Sequence, residues 1–228
     1  MKKLIFILLI FVSIAAQAQT PMYLEASGTH YGTNGTFSTW TATTGFLANP
    51  TYTTGFKQST TIASTTLAVD NSSGTATSCF GQFISPALVA QTISGTVTGY
   101  ARMTIANTSG ATVQSRVKIT VIDRAGVVVA TLLAMTSGAA NLSTTLTSIQ
   151  MLNAAALSSY TCTDGDRLCI EIGIGRSTGT TAKNGTVSFG SSSATDISSG
   201  LPGSTSTAAD NPVVTFSGNI SFYKGITF

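Results

Sequence analysis

Charge is what this chain has least of. Only 8% of its 228 residues are charged, against roughly 25% in an ordinary soluble domain. Thr, Ser, Gly and Asn fill the deficit, not extra large apolar side chains. Such a surface is polar but nearly uncharged. It lacks the clustered Lys and Arg that neutralise phosphates, which argues against nucleic acid as a partner. Histidine is almost absent too. His30 is the only one, so a Ser-His-Asp hydrolase would have a single residue from which to draw its base. His30 sits in a Gly/Thr-rich stretch, where an exposed loop residue is expected. With one histidine and no Cys-x-x-Cys, a zinc site has no ligand set. Glycoside hydrolysis needs two carboxylates across a cleft. Beyond Glu25 and Glu171 the acidic residues are aspartates, most of them in turn contexts. The chain therefore reads as a non-enzyme.

Cysteine is scarce and odd in number: Cys79, Cys162 and Cys169 allow at most one internal disulfide. Cys162 and Cys169 flank the turn Thr163–Asp166. If that turn is a hairpin corner, the two sulfurs lie on neighbouring strands, near enough for a bond. Cys162–Cys169 is the expected pair. The competing outcomes are a bond from Cys79 to either, which would close a far longer loop, and three free thiols.

Long apolar runs are missing except at the start. Met1-Lys2-Lys3 forms a positive n-region, Leu4 to Ile14 an apolar h-region, and Ala16-Gln17-Ala18 a small-x-small cleavage site. The run falls short of the roughly 20 residues a spanning helix needs. It is read as a signal peptide over residues 1–18 of bacterial type. Residues 19–228 would then form one exported domain with no transmembrane helix, located outside the cell, at its surface or in the periplasm. Loss of Lys2 and Lys3 leaves 9 basic residues against 8 acidic ones.

What is present is short alternation. Asp164-Gly165-Asp166 is a tight turn. It leads into Arg167-Leu168-Cys169-Ile170-Glu171-Ile172-Gly173, where Leu168, Ile170 and Ile172 define an apolar face and Arg167, Cys169 and Glu171 a polar one. This strand is expected to be the organising one. Arg167 and Glu171 lie about 13 Å apart along it at roughly 3.3 Å per residue, so each should find its partner across the sheet. Val113–Ile122, Asp123-Arg124-Ala125-Gly126 and Val127–Met135 read as a hairpin, with Asp opening and Gly closing the turn. Gln91 to Asn107 reads as one long strand. Its glycines, Gly95 and Gly99, suggest a bulge or close sheet packing. Met22–Ala26, Thr36–Phe46, Thr60–Val69, Cys79–Pro86 stopped by its proline, Thr144–Met151, Gly185–Gly190, Val213–Phe216 and Asn219–Phe228 add shorter candidates. A helical turn is expected at Ala154–Leu157 and a long loop from Ser191 to Asn211. Roughly ten short strands at spacings of about 8–12 residues predict an all-β fold, a two-sheet antiparallel sandwich of jelly-roll type.

Two candidate sites follow from residue type. Trp40, Tyr31 and Tyr52 fall in the first third of the mature chain; exposed on a sandwich, they would stack on sugar rings, and a glycan would be the partner. Buried between sheets, Trp40 would simply be core. Asp164, Asp166, Asp196 and Asp210 lie in loop contexts and could supply hard oxygen ligands to calcium; turn formation is the competing role. No other cofactor is expected.

Five blocks carry a resemblance. They are Phe80-Gly-Gln-Phe-Ile-Ser-Pro86, Gln91-Thr-Ile-Ser-Gly-Thr-Val97, Gly165-Asp-Arg-Leu-Cys-Ile-Glu-Ile-Gly173, Ser188-Phe-Gly-Ser-Ser-Ser-Ala-Thr-Asp196 and Asn211-Pro-Val-Val-Thr-Phe216. Together, from about Cys79 to Phe216, they resemble an uncharacterised β-domain of tailed-phage virion structural proteins and metagenomic sequences. The resemblance implies a jelly-roll-like module and no catalytic residue. The reading is a structural or adhesive module, surface-displayed or part of an extracellular or virion-like assembly, with a glycan or a self-assembly partner. The alternatives are a carbohydrate-binding module and a small outer-membrane β-barrel. The terminal alternation of Ile220, Phe222, Lys224, Ile226 and Phe228 suggests the barrel.

Overall fold

β-Branched residues alternating with Thr, Ser and Gly favour pleated strands over helices, and strands are what the chain forms. The computed structural model describes residues 19–24, 51–55, 63–69, 77–181, 183–190 and 212–223, with main chain alone at 51–55, 63–69 and 77–79. Among the described residues there is no helix. In chain order the strands are β1 (Thr20–Leu24), β2 (Thr51–Gly55), β3 (Ala63–Val69), β4 (Thr77–Ile84), β5 (Gln91–Ile93), β6 (Thr96–Ile105) and β7 (Ala111–Ile122). They continue as β8 (Val128–Asn141), β9 (Thr147–Ala156), β10 (Tyr160–Cys162), β11 (Arg167–Gly179), β12 (Lys183–Phe189) and β13 (Val213–Phe216). The expected strand Thr36–Phe46, the long loop from 191 to 211 and the end of the chain beyond 223 lie outside the described residues.

The strands build an all-β sandwich. One layer runs β2-β4-β11-β7-β8, and the other contains β3, β12, β6, β13 and β1, with β9 on the far edge of β6. Because β9 takes one edge of β6 along most of its length, the other edge is shared. β13 pairs with Val97–Tyr100 and β12 with Arg102–Ile105. β2 links the layers, pairing antiparallel with β1 and parallel with β4. That parallel ladder departs from the all-antiparallel expectation; the other described ladders are antiparallel.

β11 is the central strand of its layer, with β4 on one side and β7 on the other. Leu168, Ile170, Ile172 and Ile174 are fully buried in the main core. Each such side chain contributes roughly 1.5–3 kcal/mol of burial. Val113, Val117, Ile119 and Val121 of β7 face them, and Val97, Ala101, Met103 and Ile105 of β6 come from the opposite layer. The β7–β8 hairpin forms as expected. Asp123 Oδ1 accepts from the N–H groups of Ala125 and Val127, each at 2.8 Å, and Gly126 takes φ +82°.

Three expectations need correction. The long strand from Gln91 breaks at Ser94-Gly95 into β5 and β6, because Gly95 adopts φ +95°. The helical turn at Ala154–Leu157 is absent: β9 continues to Ala156. Its register against β6 slips between Ala155 and Leu152, where Ala154 takes φ +46° and absorbs the extra residue. The outward face of β11 is not a solvated polar face. Cys169 and Glu171 are buried there, and Cys169 forms a small second cluster with Ile84 and Ile122.

Candidate functional site

The densest polar organisation lies at one end of the sandwich. Three irregular segments meet there: 85–91, the turn 163–166, and 221–223. They are laced through main-chain bonds. Leu88 N–H donates to Asp166 O (2.7 Å), Gly165 N–H to Leu88 O (2.9 Å), Val89 N–H to Ser221 O (3.2 Å) and Tyr223 N–H to Ala87 O (2.8 Å). Leu88 and Phe222 add an isolated bridge. Gln91 acts as a stretch of substitute backbone. Its Nε2 donates to Ser221 O (2.6 Å) while its Oε1 accepts from Ser221 N–H (2.9 Å). Loops of this kind need partners for each peptide group they withdraw from water, and here the neighbouring loops supply them.

On this frame stand Asp164, Arg124 and Tyr223. Asp164 Oδ1 accepts from Ala90 N–H at 2.6 Å, and Arg124 Nη2 donates to Asp164 O at 2.9 Å. The Ala90 N–H holds the Asp164 carboxyl below its ordinary value, helped by the Tyr223 hydroxyl and the Arg124 charge. The hydrogen bond with Asp164 in turn pushes the Tyr223 hydroxyl up. Tyr223 keeps 48% of its surface exposed, so its hydroxyl is fixed while its ring faces solvent. Gly165, at φ +90°, lies beneath the Arg124 guanidinium, which a Cβ there would overlap.

Asp166 has a different task. It is buried, and its carboxylate accepts from the Thr163 N–H (2.9 Å) and the Thr163 hydroxyl (3.0 Å), closing the turn into β11. The aspartates expected to bind calcium are therefore divided. Asp164 accepts hydrogen bonds from Ala90 N–H and the Tyr223 hydroxyl and Asp166 from Thr163, and Asp196 and Asp210 lie outside the described residues. Among the described residues no group of three or more His, Cys, Asp or Glu is placed to hold a metal. Trp40, Tyr31 and His30 also lie outside the described residues, as does the side chain of Tyr52; the main chain of Tyr52 belongs to β2.

The Cys162–Cys169 disulfide is not formed. Both cysteines are buried, and neither is in a disulfide. β10 does not fold back on β11 as a hairpin arm but pairs with β5, setting Cys162 opposite Gln91. Cys162 then points into the main core while Cys169 sits on the outward face with Ile84 and Ile122. Burial, reinforced by Asp166, raises the Cys162 thiol to about 11.

The second polar constellation is Glu171. It is opposite Lys118 on β7 and Gln82 on β4, so it finds the cross-strand partners expected of it. Gln82 Nε2 donates to Glu171 Oε1 at 2.5 Å, while Oε2 is buried without a hydrogen bond. Burial raises the Glu171 carboxyl to about 8 against the opposing pull of Gln82 and Lys118. Burial likewise lowers Lys118, against the pull of Glu171. Both partners are thus driven toward their uncharged forms. Arg167 Nη1 donates to Ser85 O at 3.0 Å, one residue past the end of β4.

Sequence reasoning missed Tyr223, Arg124 and Gln91 as a group. Arg124 was legible only as a turn residue. Tyr223 fell within a terminal alternation read as a strand, and nothing local announces that residues 40 or more apart meet.

The fold and this end define an all-β sandwich with tightly tied loops. No family model matches the chain, and no curated protein matches it. Among solved structures it is similar to a structure of infectious bursal disease virus, Gx strain. That likeness has 14% identity and a TM-score of 0.28, over 72% of this chain and 37% of the other. It is also similar to a CocE/NonD family hydrolase from Staphylococcus aureus, with 9% identity and a TM-score of 0.30, over 90% of this chain and 35% of the other. The chain spans little more than a third of either. At such TM-scores neither likeness bears on function.

Proposed function

We propose that this chain is a non-enzymatic structural or adhesive β module. In this reading it is exported from a bacterial cell by residues 1–18 and displayed at a surface or built into an extracellular or virion-like assembly. The observation that carries the reading is the lacing of 85–91, 163–166 and 221–223 into one rigid platform. Rigid presentation lowers the ordering cost of an interface. The groups presented are a ring, a guanidinium, hydroxyls and amides, which make contacts without chemistry. The five sequence blocks that resemble virion structural modules support the same reading and its jelly-roll-like winding. Arg116, Lys118 and Gln114 on the outward side of β7 favour a sandwich over a barrel, whose lipid-facing side would be apolar.

Mature protein, residues 19–228, tests the proposal. Light scattering behind size exclusion, and binding to cell and polysaccharide surfaces, should reveal self-assembly or adhesion. Turnover of ester or glycoside substrates, abolished by substituting His30 or Glu25, would overturn it.

The exposed ring of Tyr223 beside Asp164 and Arg124 favours the carbohydrate-binding alternative as the form the adhesion takes. In this reading Tyr223 joins Trp40, Tyr31 and Tyr52 as an aromatic that could stack on a sugar ring.

A further inference from the structure

A cavity of about 520 Å³ opens between the β5–β6 corner and the segment that follows β13. It falls within the roughly 300–1,000 Å³ of small-molecule sites. One wall is Ser94-Gly95 and the other is 217–220. Both walls are fixed. Ser217 Oγ accepts from Thr96 N–H at 2.9 Å, Ser217 N–H donates to Thr96 O at 2.9 Å, and Leu157 N–H donates to Gly95 O at 2.9 Å. The near wall can stand this close because residue 95 is glycine: a Cβ there would lie 2.6 Å from Ser217 Oγ. Ile93 and Ile220 contribute to the lining while their side chains are buried in the core, and Ile220 N–H is held by Thr20 Oγ1 at 2.8 Å. At the mouth, Thr92, Ser94 and Asn219 are exposed, and among the described residues the lining includes no charged side chain.

Resting on the adhesive reading, we infer that this cavity binds a neutral saccharide. Hydroxyls and a carboxamide both donate and accept, which is what the hydroxyls of a sugar ring require. A lining without charge offers nothing to a uronic or sialic carboxylate and nothing to a phosphate. Tyr223 lies three residues beyond Ile220, at most about 11 Å of chain, so its exposed side chain is within reach of an oligosaccharide longer than the cavity holds. Asp164 and Arg124 position that side chain; they do not line the cavity.

Affinity electrophoresis of mature protein tests this, in gels containing a neutral α-glucan, β-glucan, mannan, galactan or xylan, with anionic alginate as the contrasting arm. Retardation is expected in at least one neutral gel and none beyond it in alginate. Asn219→Ala and Tyr223→Ala should each weaken the retardation about fivefold or more, the loss of roughly one contact. Ser94→Trp, which fills the mouth from an exposed position, should abolish it while leaving the melting temperature unchanged. No retardation in any neutral gel, stronger retardation in alginate, or wild-type retardation of both Asn219→Ala and Ser94→Trp would each overturn the inference. Self-assembly or cell binding with no neutral gel retarding would leave the adhesive reading standing without this site. Cleavage of a gel polysaccharide would overturn the adhesive reading itself.

Discussion

Glu171 shows how far a single residue can depart from its local pattern. Alternation places it on the face opposite Ile170 and Ile172, and that much is legible. That this face is also buried is not, because burial there depends on what lies over the sheet, not on β11. The consequence is a pH dependence with a definite sign. The carboxyl is raised from its ordinary 4.5 to about 8 in the folded chain, so the folded state holds a proton that the unfolded chain releases. Its contribution is complete below about pH 4.5 and is lost as pH rises through 8. Stability by urea titration should fall between pH 5 and 8, by at most about 1.4 kcal/mol per pH unit. Glu171→Gln should flatten that slope. The same slope in the variant would assign it to other groups. The two thiols give a second residue-scale expectation. Denatured, unreduced protein treated with iodoacetamide should carry an alkyl group on both Cys162 and Cys169, whereas native Cys162 should resist, held protonated and buried. A peptide linking either of them to another cysteine would contradict this.

Among the elements, those set by local chemistry were legible and those set by distant partners were not. The β7–β8 hairpin follows from Asp123–Gly126, four residues that make their own turn. Asp123→Ala removes the acceptor of two N–H bonds and should cost about 1–3 kcal/mol at 0.5–1.5 kcal/mol per bond, measured as a lowered urea midpoint with an unchanged slope. An unaltered midpoint would mean that the register of β7 and β8 alone fixes the turn. β13 lies where it was expected, bounded by Pro212. The break between β5 and β6 was hidden by uninterrupted alternation from Gln91 onward, since the left-handed turn at Gly95 serves a contact with Ser217, 122 residues away. The left-handed Ala154 was read as the start of a helical turn, because three alanines favour helix locally while the ladder with β6 favours a bulge. The Cys162–Cys169 pairing failed for a similar reason: the turn 163–166 was legible, but β10's choice of β5 over β11 was not. Of the candidate site, the aspartate turn could be read and its meeting with Tyr223 could not.

For the whole molecule, composition and strand spacing were enough for the all-β sandwich. The order of strands was beyond them, since nearly every ladder joins segments far apart in sequence. The leader is a proposal of the same scale. Mass spectrometry of protein from its native host should find a chain beginning near Gln19, and a full-length chain held in the inner membrane would contradict export. The pairing of β1 with β13 carries a mechanical consequence. Thr20 is opposite Phe216, and Tyr23 opposite Val213, so the segments before β1 and after β13 leave the ladder at the same end. Tension applied through both would open it one hydrogen bond at a time, as a zip opens, instead of loading all its bonds together in shear. The bonds that tie 217–223 to 85–91, Thr96 and Thr20 take that load first, and the ladder opens bond by bond once they are broken.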